Sequence, residues 1–169
     1  MRDDKITKIA IVGVISAFAI ILGYVESLIS LGFFIPGVKL GLANLAIVTV
    51  MYIYGNKEAF TVNFIRILIS GLLFTNIFSI LFSLAGAVIS FAVMAILKKT
   101  DKFSVMGVSI AGGVSHNVGQ IIIAAFVVET YSVIYYVPVL MVSGIVTGMI
   151  IGVVSGILIK YLKNIMRIH

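Results

Sequence analysis

The chain has 169 residues, of which 62% are apolar and 11% charged, with a mean hydropathy of +1.26 and a net charge of +6. A soluble domain carries about 25% charged residues, so this composition excludes a compact soluble enzyme. With no Cys, disulfides, thiolate metal sites and a cysteine nucleophile are excluded, and two His with six acids argue against a metal cage. The positive charges sit at the ends of apolar stretches, which points to retention beside a bilayer and not to a nucleic-acid partner.

Taken in chain order, the charge-poor stretches predict an all-α membrane protein, a bundle of six transmembrane helices forming a single integral membrane domain over residues 1–169. The first span covers residues 6–24. Ala17-Phe18-Ala19 resembles a signal-peptide cleavage site but lies within the apolar run instead of after it, so the segment is retained. The second span covers 38–54 and ends at the turn cluster Gly55-Asn56-Lys57-Glu58. Residues 59–97 contain one charge, Arg66. A single helix of that length would be about 60 Å long, twice the hydrocarbon thickness. It must therefore fold back near Thr75-Asn76, giving spans 59–75 and 77–97. The fifth span covers 104–128 and the sixth 137–162, with Pro138 suited to a first turn.

Two patterns support this division. If the N-terminus is cytoplasmic, that side receives Arg2, Lys5, Lys8, Lys57, Lys98, Lys99, Lys102, Lys160, Lys163 and Arg167, and the outside only Lys39. This bias predicts that both termini are cytoplasmic. The seven Tyr (24, 52, 54, 131, 135, 136 and 161) all fall at predicted span ends, where amphipathic rings prefer the interface.

Between helices in lipid, close backbone approach replaces water exclusion, so small residues mark contacts. Gly144, Gly148, Gly152 and Gly156 recur at steps of four, as do Gly107, Ala111, Ser115 and Gly119. Asn76, Ser79, Ser83, Gly86 and Ser90 follow the spacing of one inward face. These ladders predict internal packing. Ala10, Gly13 and Ala17 on span one either pack internally or present a flat groove to another membrane subunit.

Arg66 lies near the middle of span three, where a charge costs about 2.5–3.5 kcal/mol. Arg cannot shed its proton, so it needs an anion or dense hydrogen bonding. Asn63, Arg66 and Ser70 share one helix face; His116 and Gln120 share another on span five with Asn117 beside them, and Asn44 adds an amide from span two. No carboxylate is expected at that depth, because Glu26 and Glu129 fall at the outer ends. A donor-rich cationic interior suits an anionic ligand, although a purely structural tie through carbonyls, water or Glu26 is the alternative. Lys39, at the outer mouth, either snorkels or attracts the anion. The connecting stretch 26–39 carries Phe33, Phe34 and other large apolar residues with Gly32, Pro36 and Gly37, too apolar for water. It is expected to cover the bundle as a lid, centred on residues 26–37.

The segments Pro36-Gly37-Val38-Lys39-Leu40-Gly41-Leu42-Ala43-Asn44, Phe82-Ser83-Leu84-Ala85-Gly86-Ala87 and Gly112-Gly113-Val114-Ser115-His116-Asn117-Val118-Gly119-Gln120, with the Arg66 helix, resemble the Gx transporter family, also labelled heptaprenyl diphosphate synthase component I. That family in turn is similar to the substrate-binding S components of energy-coupling factor transporters. The resemblance implies a multi-pass protein of the prokaryotic cell membrane that captures a ligand under a lid. It also implies docking through Ala10, Gly13 and Ala17 to a transmembrane coupling subunit, with ATP used by separate ATPase subunits and no cofactor in this chain.

The synthase label meets a chemical obstacle. Prenyl diphosphate synthases hold Mg²⁺ with two Asp-rich motifs, whereas this chain has three Asp, at 3, 4 and 101, and no P-loop. The leading expectation is therefore a non-catalytic capture subunit in which Arg66, His116, Asn117, Gln120, Asn44, Asn63 and Lys39 hold a small anionic, partly apolar molecule, isoprenoid- or quinone-related if the label has substance. The second is a non-catalytic accessory subunit of a polyprenyl diphosphate synthase. A channel or proton-coupled carrier using His116 ranks third, for want of an intramembrane carboxylate.

Overall fold

The computed structural model describes residues 2–29, 41–74, 77–128 and 135–166. They form six helices: α1 (Arg2–Ile29), α2 (Leu42–Ile53), α3 (Asn56–Phe74), α4 (Ile77–Lys99), α5 (Val105–Val128) and α6 (Val137–Met166). At 1.5 Å per residue, α1 and α6 are about 40–45 Å long and α4 and α5 about 35 Å, all enough for a hydrocarbon layer of about 30 Å. These four are also apolar enough to cross a membrane, which makes this a multi-pass membrane protein. The 12-residue α2 is shorter, about 18 Å. The 19-residue α3 has the length, but Lys57, Glu58, Asn63 and Arg66 dilute its apolar character.

The helices close into a ring in the order α1, α3, α4, α5, α6, α2, with the most extensive packing where α5 meets α6 and α4. Small residues explain that seam. A Cβ added to Gly148 would stand 2.6 Å from Ile110 Cα, and one on Gly152 would stand 2.6 Å from Met106 Cα. Gly113 and Gly144 face each other with the same closeness, so backbone touches backbone along three turns. The expected ladder fails at its end: Gly156 has nothing within 4 Å of its Cβ position, and Gly107 has only ordinary contacts.

The short α2 is the most enclosed helix. Ala46, Ile47, Val48, Val50 and Met51 form one core with Ala19 of α1, Ala59 and Val62 of α3, Met94 of α4, Val108 of α5 and Ile151 of α6. Its C-terminal end is held from α4: Lys98 Nζ donates to the Met51 carbonyl, lies 3.5 Å from Asn56 Oδ1, and covers the Tyr52 ring. This satisfies one of the orphan carbonyls that end any helix. Outward, Val14, Leu72, Ile77 and Phe126 each leave more than 70% of their surface uncovered, as lipid-facing side chains do.

The helices α2 to α6 overlap the stretches expected at 38–54, 59–75, 77–97, 104–128 and 137–162, whereas α1 runs past its expected end at residue 24. It continues as helix to Ile29, so Glu26 belongs to a helix and not to the start of a lid loop. Residues 30–40, with Phe33, Phe34, Pro36 and Lys39, lie outside the described residues, as do the Thr75-Asn76 reversal, Glu129 and Tyr131. Tyr52 lies at the end of α2 but turns inward: Lys98 covers its ring, and its hydroxyl is buried without a hydrogen-bond partner among the described residues.

Candidate functional site

Arg66 is fixed from two helices. Its Nε donates to Asn63 Oδ1 at 3.1 Å, one turn earlier on α3, and its Nη2 donates to Asn44 Oδ1 at 3.1 Å on α2. Asn63 is buried, so its amide is committed to this tie. A guanidinium has five N–H groups, and the remaining three have no partner among the described residues. Ser70, on the same face of α3, turns elsewhere: its hydroxyl is buried against Gly23 of α1, without a partner among the described residues.

The helix α5 brings Gly113, His116, Asn117 and Gln120 to the same place. Its position against α4 is set by glycines of both helices. A Cβ on Gly86 of α4 would stand 2.7 Å from the His116 carbonyl oxygen, and one on Gly119 would stand 2.9 Å from Gly86 Cα. One turn away, Ser90 Oγ donates to the Gly112 carbonyl at 2.8 Å. Asn117 Nδ2 donates to the Leu140 carbonyl at 2.6 Å, tying α5 to the first turn of α6.

These side chains line a cavity of about 60 Å³, to which every helix contributes. Besides Arg66, Asn44 and the α5 group, it is lined by Ser83 of α4, Thr147 of α6, Gly41 before α2 and Glu26 of α1. A void of about 20 Å³ adjoins it, sharing Gly41, Asn44, Gly113 and Thr147, and reaches Ser90 and Ser109 before meeting the core side chains Met94 and Ile151. Five predicted residues (Arg66, His116, Asn117, Gln120 and Asn44) thus meet in one cavity. Asn63 supports Arg66 from behind, and Lys39 lies outside the described residues.

Glu26 corrects the expectation that no carboxylate reaches this depth. It lines the cavity, its charge acts on Arg66, and it accepts a hydrogen bond from the Gly41 N–H at 2.7 Å. Gly41 is left-handed at φ 73°, a conformation suited to glycine, and immediately precedes α2. The signal for Glu26 was present in the sequence: Val12, Ser16, Ala19, Gly23 and Glu26 alternate at four and three, the spacing of one inward helix face. Ser83 was expected to pack helices, and together with Thr147 it also lines the cavity.

A second hollow, about 520 Å³ and almost wholly apolar, lies between α1, α2 and α6 and is lined by Ala10, Val14, Phe18, Thr49, Leu158 and others. It shares no residue with the polar cavity. Gly13 and Ala17 are exposed beside it, and nothing lies within 4 Å of the Cβ position of Gly13.

Compared with known families, residues 15–158 match the family model described as heptaprenyl diphosphate synthase component I. No curated protein and no solved structure matches the chain.

Proposed function

The chain belongs to the heptaprenyl diphosphate synthase component I family, and from that premise we propose that it is a non-catalytic membrane subunit that captures a small molecule through an anionic group. Arg66 carries the reading. It is fixed by two neutral amides, keeps N–H groups uncommitted among the described residues, and lines a cavity built by all six helices. A guanidinium pairs well with carboxylate or phosphate. The size of the cavity, about 60 Å³ against the roughly 300–1,000 Å³ of ordinary ligand pockets, fits a compact polar group and not a prenyl chain.

On this reading all six helices cross the prokaryotic cell membrane with both termini cytoplasmic, and the exposed Ala10–Gly13–Ala17 face of α1 docks a transmembrane coupling subunit served by ATPase subunits. This is the arrangement of energy-coupling factor S components, with His116, Asn117, Gln120 and Asn44 assisting Arg66. Native mass spectrometry of the protein extracted in lipid nanodiscs tests it. A co-purified small anion is expected with the wild type and absent from Arg66→Gln. Equal occupancy in both would overturn the reading.

The family description favours a second reading, an accessory subunit that recruits a soluble synthase subunit to the membrane. It predicts co-purification with that enzyme, lost when the exposed Lys99, at the end of α4, and Lys102, in the loop after it, are replaced by Glu. A proton-coupled carrier has regained its missing carboxylate in Glu26. It remains disfavoured because the adjoining void meets packed Met94 and Ile151 instead of continuing through the bundle.

A further inference from the structure

The cavity around Arg66 has two poles. Among the described residues, Arg66 brings three uncommitted N–H groups, while Glu26 brings a carboxylate whose hydrogen-bond partner is the Gly41 N–H. A carboxylate offers about four acceptor positions across its two oxygens, so most of its accepting capacity remains. The two groups are not joined by a direct hydrogen bond or a contact ion pair; each is instead held by its own neighbours, Arg66 by Asn44 and Asn63, Glu26 by the backbone before α2. A purely anionic guest would satisfy the guanidinium and leave an acceptor-only carboxylate facing it across a cavity of about 60 Å³. At low dielectric such a like-charge approach opposes binding. A guest with a cationic donor close to its anion satisfies both.

We propose that Glu26 is the second recognition pole of this site and that its ligand is a small zwitterion, an ammonium or comparable cationic donor set a few bonds from a carboxylate or phosphate. The proposal rests on the capture reading and narrows its substrate class. The cavity volume limits the recognised part to a few heavy atoms, with the anion on Arg66 and the cationic donor on Glu26.

Matched probe pairs test this by isothermal titration calorimetry in lipid nanodiscs: β-alanine against propionate, and phosphoethanolamine against ethyl phosphate. The members of each pair share the anion and chain and differ in the ammonium. In the wild type the zwitterion of at least one pair is expected to bind about tenfold or more tightly than its partner, the scale of a charge-assisted hydrogen bond. Glu26→Gln keeps an oxygen to accept from Gly41 and is expected to remove that preference while retaining anion binding. Equal affinity within both pairs in the wild type, a preference that survives Glu26→Gln, or tighter zwitterion binding in Glu26→Gln than in the wild type overturns the proposal. If the anions bind and Arg66→Gln abolishes them, the capture reading stands without the zwitterion; if no probe binds wild type or Arg66→Gln, both fall. Thermal unfolding of each variant identifies any loss due to misfolding, and in that case Glu26→Asp, which retains the charge, is expected to restore the preference.

Discussion

Arg66 Nη2 and Asn44 Oδ1 meet at 3.1 Å between α3 and α2, and this bond joins the charge of one helix to the most enclosed helix of the bundle. Asn63 takes Nε in the same way. Both partners are neutral oxygens, which orient a guanidinium without cancelling its charge. A charge held in place before its ligand arrives loses little conformational freedom on binding.

Asn44 variants separate stability from recognition. Asn44→Ala removes an oxygen from a partly buried cation and is expected to cost about 1–3 kcal/mol of stability, with weaker ligand occupancy. Asn44→Asp supplies an anion within the fold. It is expected to leave thermal stability equal or higher and to reduce occupancy by about tenfold or more, because the ligand then competes with a resident carboxylate. Thermal unfolding in nanodiscs and native mass spectrometry read the two effects. An Asn44→Asp protein as well occupied as the wild type would contradict an anion site at Arg66.

The α5–α6 seam makes a sharper test of packing. Gly148→Ala places a Cβ 2.6 Å from Ile110 Cα, where backbone and not a flexible side chain must give way. The expected loss is about 1–3 kcal/mol. Gly156→Ala, with nothing within 4 Å, is expected to be neutral or stabilising by up to about 1 kcal/mol through helix propensity. Thermal melts of the two variants should therefore move apart.

Gly41 links backbone conformation to the site. At φ 73° an L side chain costs about 1–2 kcal/mol, and the Gly41 N–H is the donor that holds Glu26. Gly41→Ala is expected to lower thermal stability by that amount and to weaken whatever binding depends on Glu26, read by the same calorimetric titrations. Unchanged stability would show that the left-handed turn is not retained in solution.

What the sequence made legible follows from the strength of each local signal. Charge-free stretches delimit helices sharply because a buried charge is costly, and the ends of α4 and α5 follow from them closely. That residues 59–97 belong to two helices and not one was readable from length alone, since one helix of that span would exceed any bilayer. Arg66, His116, Asn117, Gln120 and Asn44 were readable as neighbours because each is polar where polarity is costly. Glu26 was misplaced because its own charge closes the charge-free stretch and draws the expected span end back to residue 24, and the alternation from Val12 to Glu26 that keeps α1 helical is subtler than that charge. The open site at Gly156 was not legible, because a glycine ladder fixes which face is small but not how far the opposing helix stays close.

The outward face of α1 separates a structural role from a partner role. Ala10, Gly13 and Ala17 are exposed, while Ser16 and Ala19 on the other side of the same helix are buried, Ala19 in the core and Ser16 with its hydroxyl bonded to the Val12 carbonyl. Ser16→Leu is therefore expected to disrupt the bundle. A Cβ at the exposed Gly13 meets nothing within 4 Å, so Gly13→Leu is expected to leave the thermal melt and ligand occupancy unchanged. If α1 docks a membrane coupling subunit by close backbone approach, the same change adds a bulky side chain where two helices must meet, and co-purification of that subunit from native membranes should fall severalfold. Retention of the partner at wild-type levels by a stable Gly13→Leu protein would remove α1 from the interface and leave the five other helices as candidates.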